Sequence, residues 1–153
     1  MKLLSEAAES GLRATVWLAQ HPDQSFKVKE IAEAIHAAPG YLVKVLQHLT
    51  RAGIVAARRG IQGGITLVRS ADELTALDVI NAIDPIERIT TCPLRLISHR
   101  HSLCPLHQRI DRGLETIEET FRSVTIAQLM ESAESSQSSC QLLCGSSSES
   151  PGS

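Results

Sequence analysis

Aromatic side chains are almost missing from this chain, with two phenylalanines, one tyrosine and one tryptophan in 153 residues. A core must therefore be built from Leu, Ile, Val and Ala, and the 42% hydrophobic content is enough to supply one. Long apolar runs are missing too. No stretch approaches the ~20 residues that span a bilayer, and the opening MKLLSEAAES lacks the apolar block of a secretory signal. The expectation is a soluble cytoplasmic protein with no membrane partner. In that compartment four cysteines read as thiols or ligands rather than structural disulfides. Glycine-rich phosphate loops and nucleophile elbows are absent, and no acid stands by the Cys/His-rich segments to orient a nucleophile. These gaps count against a Cys–His enzyme, the main alternative class.

The most informative absence is local. Between Glu33 and Asp72 there is no acidic residue, although an even spread of the chain's 17 acids would put about four there. The same window carries Lys44, Arg51, Arg58, Arg59 and Arg69, with His36 and His48. A solvated basic face and a surface for a polyanion both fit that pattern. A winged helix used only to bind proteins fits less well, because a protein partner imposes no such one-sided charge rule.

What is present organises the chain. Ala8, Leu12, Val16 and Ala19 recur at helical spacing in EAAESGLRATVWLAQ, which ends at His21-Pro22-Asp23. VKEIAEAI forms a second short helix, with Val28, Ile31, Ala32 and Ile35 on one face. After the turn HAAPG, Pro39 suits the first turn of a third helix that buries Leu42, Val45, Leu46 and Leu49. Gly53 caps that helix. Two β-branched runs, Ile54 to Ala57 and Ile65 to Val68, flank RRGIQGG and predict a hairpin. Thr75 and Asp78 make a capping box for a fourth helix. A long helix follows from about Pro105 to Ser123, with Leu103, Leu106, Ile110, Ile117, Phe121 and Val124 in three- and four-residue steps and Gly113 interrupting the row. Packing on its own domain and pairing with another helix are both open for it. Thr125 and Gln128 cap a last short helix. The Ser-rich segment after it is expected to be disordered.

Three short helices followed by a basic hairpin describe a winged helix-turn-helix. The third helix suits the major groove, and the hairpin reaches an adjacent groove or backbone. The residues APGYLVKVLQHLTRAGIVAARRGIQGGITLV and LTALDVINAID, followed by TCPLRLISHRHSLCPLH, resemble the IscR/NsrR-type family of bacterial winged-helix transcription regulators over about residues 1 to 130. The resemblance implies a mainly α fold with a small β-hairpin: a winged helix-turn-helix domain plus a long C-terminal dimerisation helix. It implies a homodimer on double-stranded DNA with a palindromic operator, acting as a repressor. The resulting division is a DNA-binding domain over 1–84, a Cys/His sensing loop over 85–104, a dimerisation region over 105–131 and a tail over 132–153. Pro39, Tyr41, Lys44, His48 and Arg51 on the third helix, and Arg58, Arg59 and Gln62 in the wing, are the candidate DNA contacts. Tyr41 also fits a core aromatic, and the two wing arginines also fit solubilising charge.

The segment TCPLRLISHRHSLCPLH gathers two of the four cysteines and three of the six histidines. In cluster-binding members of the family, three cysteines stand at about C-x5-C-x5-C before the dimerisation helix. Here Cys92 and Cys104 hold the outer positions and Ser98 the middle one, a harder and rarer ligand. His107 matches a position where some members use histidine as fourth ligand. His99 and His101 stand close enough to Ser98 to replace it, and a Cys2His2 set has precedent in Rieske centres. The partner subunit or, weakly, Glu6 or Glu9 can supply a ligand. Four readings are open: an iron–sulfur cluster, first of all 2Fe–2S, a redox thiol pair, a single ion such as zinc, and a degenerate loop. The implied signals are redox change, iron–sulfur status or nitric oxide. Cys140 and Cys144, a C-x3-C pair in the tail, read as solvated thiols.

Overall fold

The computed structural model describes residues 3–60, 63–93 and 103–131. The expected Ser-rich tail, with Cys140 and Cys144, lies outside them, as do Gln62, Ser98, His99 and His101. Helix α1 covers Glu6–Ala19, α2 Val28–Ala34 and α3 Pro39–Arg51. Strands β1, Val55–Ala57, and β2, Ile65–Leu67, follow. Helices α4, Ala76–Ile83, and α5, Pro105–Arg122, complete the order, with a further helical stretch at 126–131.

The helices begin where the chemistry puts them. The Ser5 hydroxyl accepts from the Ala8 N–H and caps α1. Thr75 and Asp78 form the expected reciprocal box at α4, with both bonds at 3.1 Å. Pro39 opens α3, and Gly53, at φ 69°, ends it in the left-handed conformation that glycine adopts without cost. Leu42, Val45, Leu46 and Leu49 of α3 are buried as the periodicity predicts. They join Leu18, Ile31, Ile54, Leu74 and Val79 in one aliphatic core.

Helix α1 buries more than the apolar row of Ala8, Leu12, Val16 and Ala19. Ala8, Ser10, Gly11, Ala14, Thr15 and Leu18 turn inward, while Leu12 and Val16 are half-buried at the margin. The reason is close approach. A Cβ on Gly11 would stand 2.1 Å from the Ile83 side chain of α4, so α1 presents small residues where the two helices cross. The buried Thr15 hydroxyl is satisfied by the Gly11 carbonyl at 2.8 Å.

The two strands pair antiparallel with Val55 opposite Leu67 and Ala57 opposite Ile65. Phe26, in the link between α1 and α2, adds a bridge to Ile65 with N–H···O bonds of 3.0 and 2.7 Å. The wing is thereby sewn to the start of the helix-turn-helix. Beyond α5 the chain returns to the same core. Ala76 N–H donates to Val124 and Ile126 N–H to Leu74, and Ile126 is fully buried. Among the described residues no helix is long and apolar enough to cross a membrane.

Candidate DNA interface and thiol–imidazole site

The turn between α2 and α3 passes through His36 at φ 53° and sets α3 across the core, so its opposite face is free. That free face carries Pro39, Lys44, His48 and Arg51, all exposed. Tyr41 is half-buried against the core, which leaves only part of it for a DNA contact. Arg58 and Arg59 are exposed in the wing beside Gly60. Arg69 differs from the other basic residues of the window, because its guanidinium pairs with Asp78 at 3.4 Å.

One wing contact has no local sequence signal. Lys27, the N-cap of α2, sends its Nζ to the carbonyls of Gly63 at 2.5 Å and Gly60 at 3.4 Å. These glycines are 33 and 36 residues away, and no local pattern announces such a bond. The glycines have separate jobs. Gly60 adopts φ 112°, whereas a Cβ on Gly64 would meet the Phe26 backbone at 2.6 Å.

The second site sits where the cysteine loop meets α5. Cys104 is the N-cap of α5 and His107 lies in its first turn, so both face the same end of the helix. Cys92 comes from the other arm of the loop. His107 Nδ1 stands 3.1 Å from Cys104 Sγ and 3.6 Å from Cys92 Sγ. All three donor atoms lie within 4.8 Å of one another, and both cysteines are buried. The backbone N–H of His107 pulls the Cys104 thiol below its ordinary range, against the opposing effect of burial and with help from Cys92. Glu6 and Glu9 do not join this group within the chain.

Arg88 anchors the loop's first arm. Its Nε and Nη2 donate to the two carboxylate oxygens of Asp111 on α5, each at 2.7 Å, and Nη1 reaches Glu118 at 3.4 Å. The Ile89 N–H donates to the same Asp111 at 2.9 Å. The Arg88 hydrogen bonds, followed by that of Ile89, hold the Asp111 carboxyl below its usual range, opposed by desolvation. Asp111 in turn raises the Arg88 guanidinium further above its already high value.

A winged helix-turn-helix with a basic, acid-free reading face defines a DNA-binding regulator. Residues 4–132 match the Rrf2 model, described as an iron-dependent transcriptional regulator. The chain belongs to this family of transcriptional regulators and is not an enzyme. The solved structure of T. potens IscR is similar, at 27% identity and a TM-score of 0.73, covering 90% of this chain and 91% of that one. B. subtilis CymR, the global cysteine regulator, matches in fold at 24% identity and a TM-score of 0.70, over 86% of this chain and 98% of its own. An oxidised form of Staphylococcus aureus CymR matches at 25% identity and a TM-score of 0.66, over 86% and 97%.

Proposed function

We propose that this chain is a homodimeric repressor whose hold on a palindromic operator is set by the chemistry of Cys92, Cys104 and His107. The carrying observation is the division of α3 and the wing into two faces. One face closes the core; the other shows Lys44, His48, Arg51, Arg58 and Arg59 without a carboxylate anywhere from 34 to 71. A carboxylate there would repel phosphate, and five basic or imidazole groups there attract it. Pro39 and Tyr41 lie at the start of α3, where a reading helix meets base edges.

Pairing through α5 is supported by what that helix leaves uncovered. None of its 18 residues is buried within the chain, and Leu106 and Ile110 remain 62% and 43% exposed. Nothing lies within 4 Å of where a Gly113 side chain would begin, so a second helix can come close there. A redox-responsive role gains support from the two thiols held together, and from the CymR relative solved in an oxidised form.

The test is selection of binding sequences from random duplex DNA, followed by affinity measured across salt. A two-half-site consensus with a steep salt slope is the expected result. Binding that prefers no sequence, or needs no second half-site, rejects the dimeric repressor.

A further inference from the structure

We infer that Cys92, Cys104 and His107 form a site for one tetrahedral thiophilic divalent ion, zinc or ferrous iron, rather than for a multi-iron cluster. The inference rests on the reading above that this loop is the sensing element, and it names what the loop holds. The argument is one of spacing. Around a single ion with metal–sulfur bonds of about 2.3 Å and metal–nitrogen bonds of about 2.0 Å, tetrahedral angles put two sulfurs about 3.8 Å apart and a sulfur and nitrogen about 3.6 Å apart. The Cys92 Sγ to His107 Nδ1 distance is 3.6 Å, the Cys104 Sγ to His107 Nδ1 distance is 3.1 Å, and no pair exceeds 4.8 Å.

A two-iron cluster needs a different layout. Each iron takes two protein ligands, so three donors divide two and one, and at least two of the three pairs must reach across the cluster. Ligands on opposite irons point away from each other and stand roughly 5.5 Å or more apart, from thiolate bonds of about 2.3 Å. In a four-iron cluster every pair of ligands crosses between irons, so the mismatch applies to all three. Here all three pairs fall short of that separation. The donor set agrees with the geometry. Two soft thiolates and one imidazole suit zinc or ferrous iron, while Ser98 stands where a third thiolate would be. Binding would take the two thiols as thiolates and release their protons, with no change of oxidation state. The three donors fill three corners of a tetrahedron, and the fourth is where a further ligand enters.

The test titrates cobalt(II) into the full-length, metal-free protein under anaerobic, reducing conditions. The expected result is one cobalt per chain, with a thiolate-to-cobalt charge-transfer band and the strong d–d absorption of a tetrahedral centre, both removed by excess zinc. Cys92→Ser and Cys104→Ser should each abolish the charge-transfer intensity or halve it. Because both cysteines are buried, circular dichroism must show these variants folded. His107→Gln, at a half-buried position, provides a second variant that should weaken binding at least tenfold. A parallel sample receives ferrous iron with sulfide. Two irons and two acid-labile sulfides per chain, retained through gel filtration and lost in Cys92→Ser, would overturn the single-ion site. So would folded wild-type protein that binds no cobalt. DNA affinity measured on the same samples separates this inference from the functional reading. One cobalt per chain with unchanged DNA affinity removes the sensing role and leaves the site. A sulfide-containing cluster that changes DNA affinity does the reverse.

Discussion

Arg88 stands 23 residues before Asp111 in sequence and meets it with a two-toothed contact at 2.7 Å. A bidentate guanidinium–carboxylate pair fixes orientation as well as distance, and here it orients the arm that leads to Cys92. Its dependence on pH follows from the depressed Asp111 carboxyl. A carboxyl whose folded value lies below the unfolded one, near 3.9, adds stability that is present above that value. The contribution is lost as pH falls through the folded value. Asp111→Asn should therefore lower the melting temperature at neutral pH, with the gap to wild type closing as the pH falls below the unfolded carboxyl value. Melting curves at a series of pH values check this; a gap that stays constant with pH would detach Asp111 from the anchor. Lys27 offers a second residue-scale test. Its Nζ donates to wing carbonyls, so the expected role is to position the wing rather than to hold a phosphate. Lys27→Met should cost DNA affinity by about fivefold, on the scale of one net hydrogen bond of about 1 kcal/mol. It should leave the salt slope unchanged, and a slope that falls by about one unit would make Lys27 a phosphate ligand instead.

At the scale of elements, the wing shows what position along the chain can and cannot reveal. Glycines between two β-branched runs made the hairpin legible, and it pairs as expected. The bridge from Phe26 was not legible, because it joins the strand to a linker 39 residues earlier. Helix α3 was read correctly down to its four buried residues, since large aliphatics at a 3.6-residue period leave one solution. In helix α1 the apolar row is legible, with Ala8 buried and Leu12, Val16 and Ala19 packed against the core, whereas the buried Gly11, Ala14 and Thr15 carry little apolar signal. The thiol–imidazole group is legible as composition, whereas the Arg88–Asp111 contact on the arm that leads to Cys92 is one no spacing rule foretells. Two wing predictions follow. Gly64→Ala would drive a Cβ to 2.6 Å from the Phe26 backbone, so the strand must shift. DNA affinity should drop while helix content by circular dichroism stays near wild type, and unchanged affinity would show that the wing tolerates release from Phe26. Arg58→Ala with Arg59→Ala should weaken binding and also flatten the salt slope, since phosphate contacts are then lost. That contrast separates charge in the wing from placement of the wing.

For the whole molecule the question is how chemistry at a loop reaches a DNA surface. Both ends of α5 are tied down. Cys104 starts the helix, Asp111 holds the loop's entry to it, and residues beyond Arg122 run back into the core through Val124 and Ile126. The thiol–imidazole group thus sits at the start of the helix that carries the exposed apolar stripe, so on the proposed sensing role a change there is passed to that helix. If two copies pair along that stripe, the tilt of α5 sets the separation of two α3 helices, which must match half-sites about 34 Å apart. The stripe is consequently the place to cut. Leu106→Glu with Ile110→Glu changes two residues that are 62% and 43% exposed in the single chain, so the fold of the monomer should survive. Two carboxylates brought face to face with their copies would repel and would have to be desolvated. If that stripe pairs two copies, sedimentation at micromolar concentration should show dimers for the wild type and monomers for this variant. Affinity for a two-half-site operator should fall by at least a hundredfold, while weak binding to a single half-site persists. A variant that stays dimeric would move the subunit interface off this face of α5 and would cut the route from the thiols to the operator.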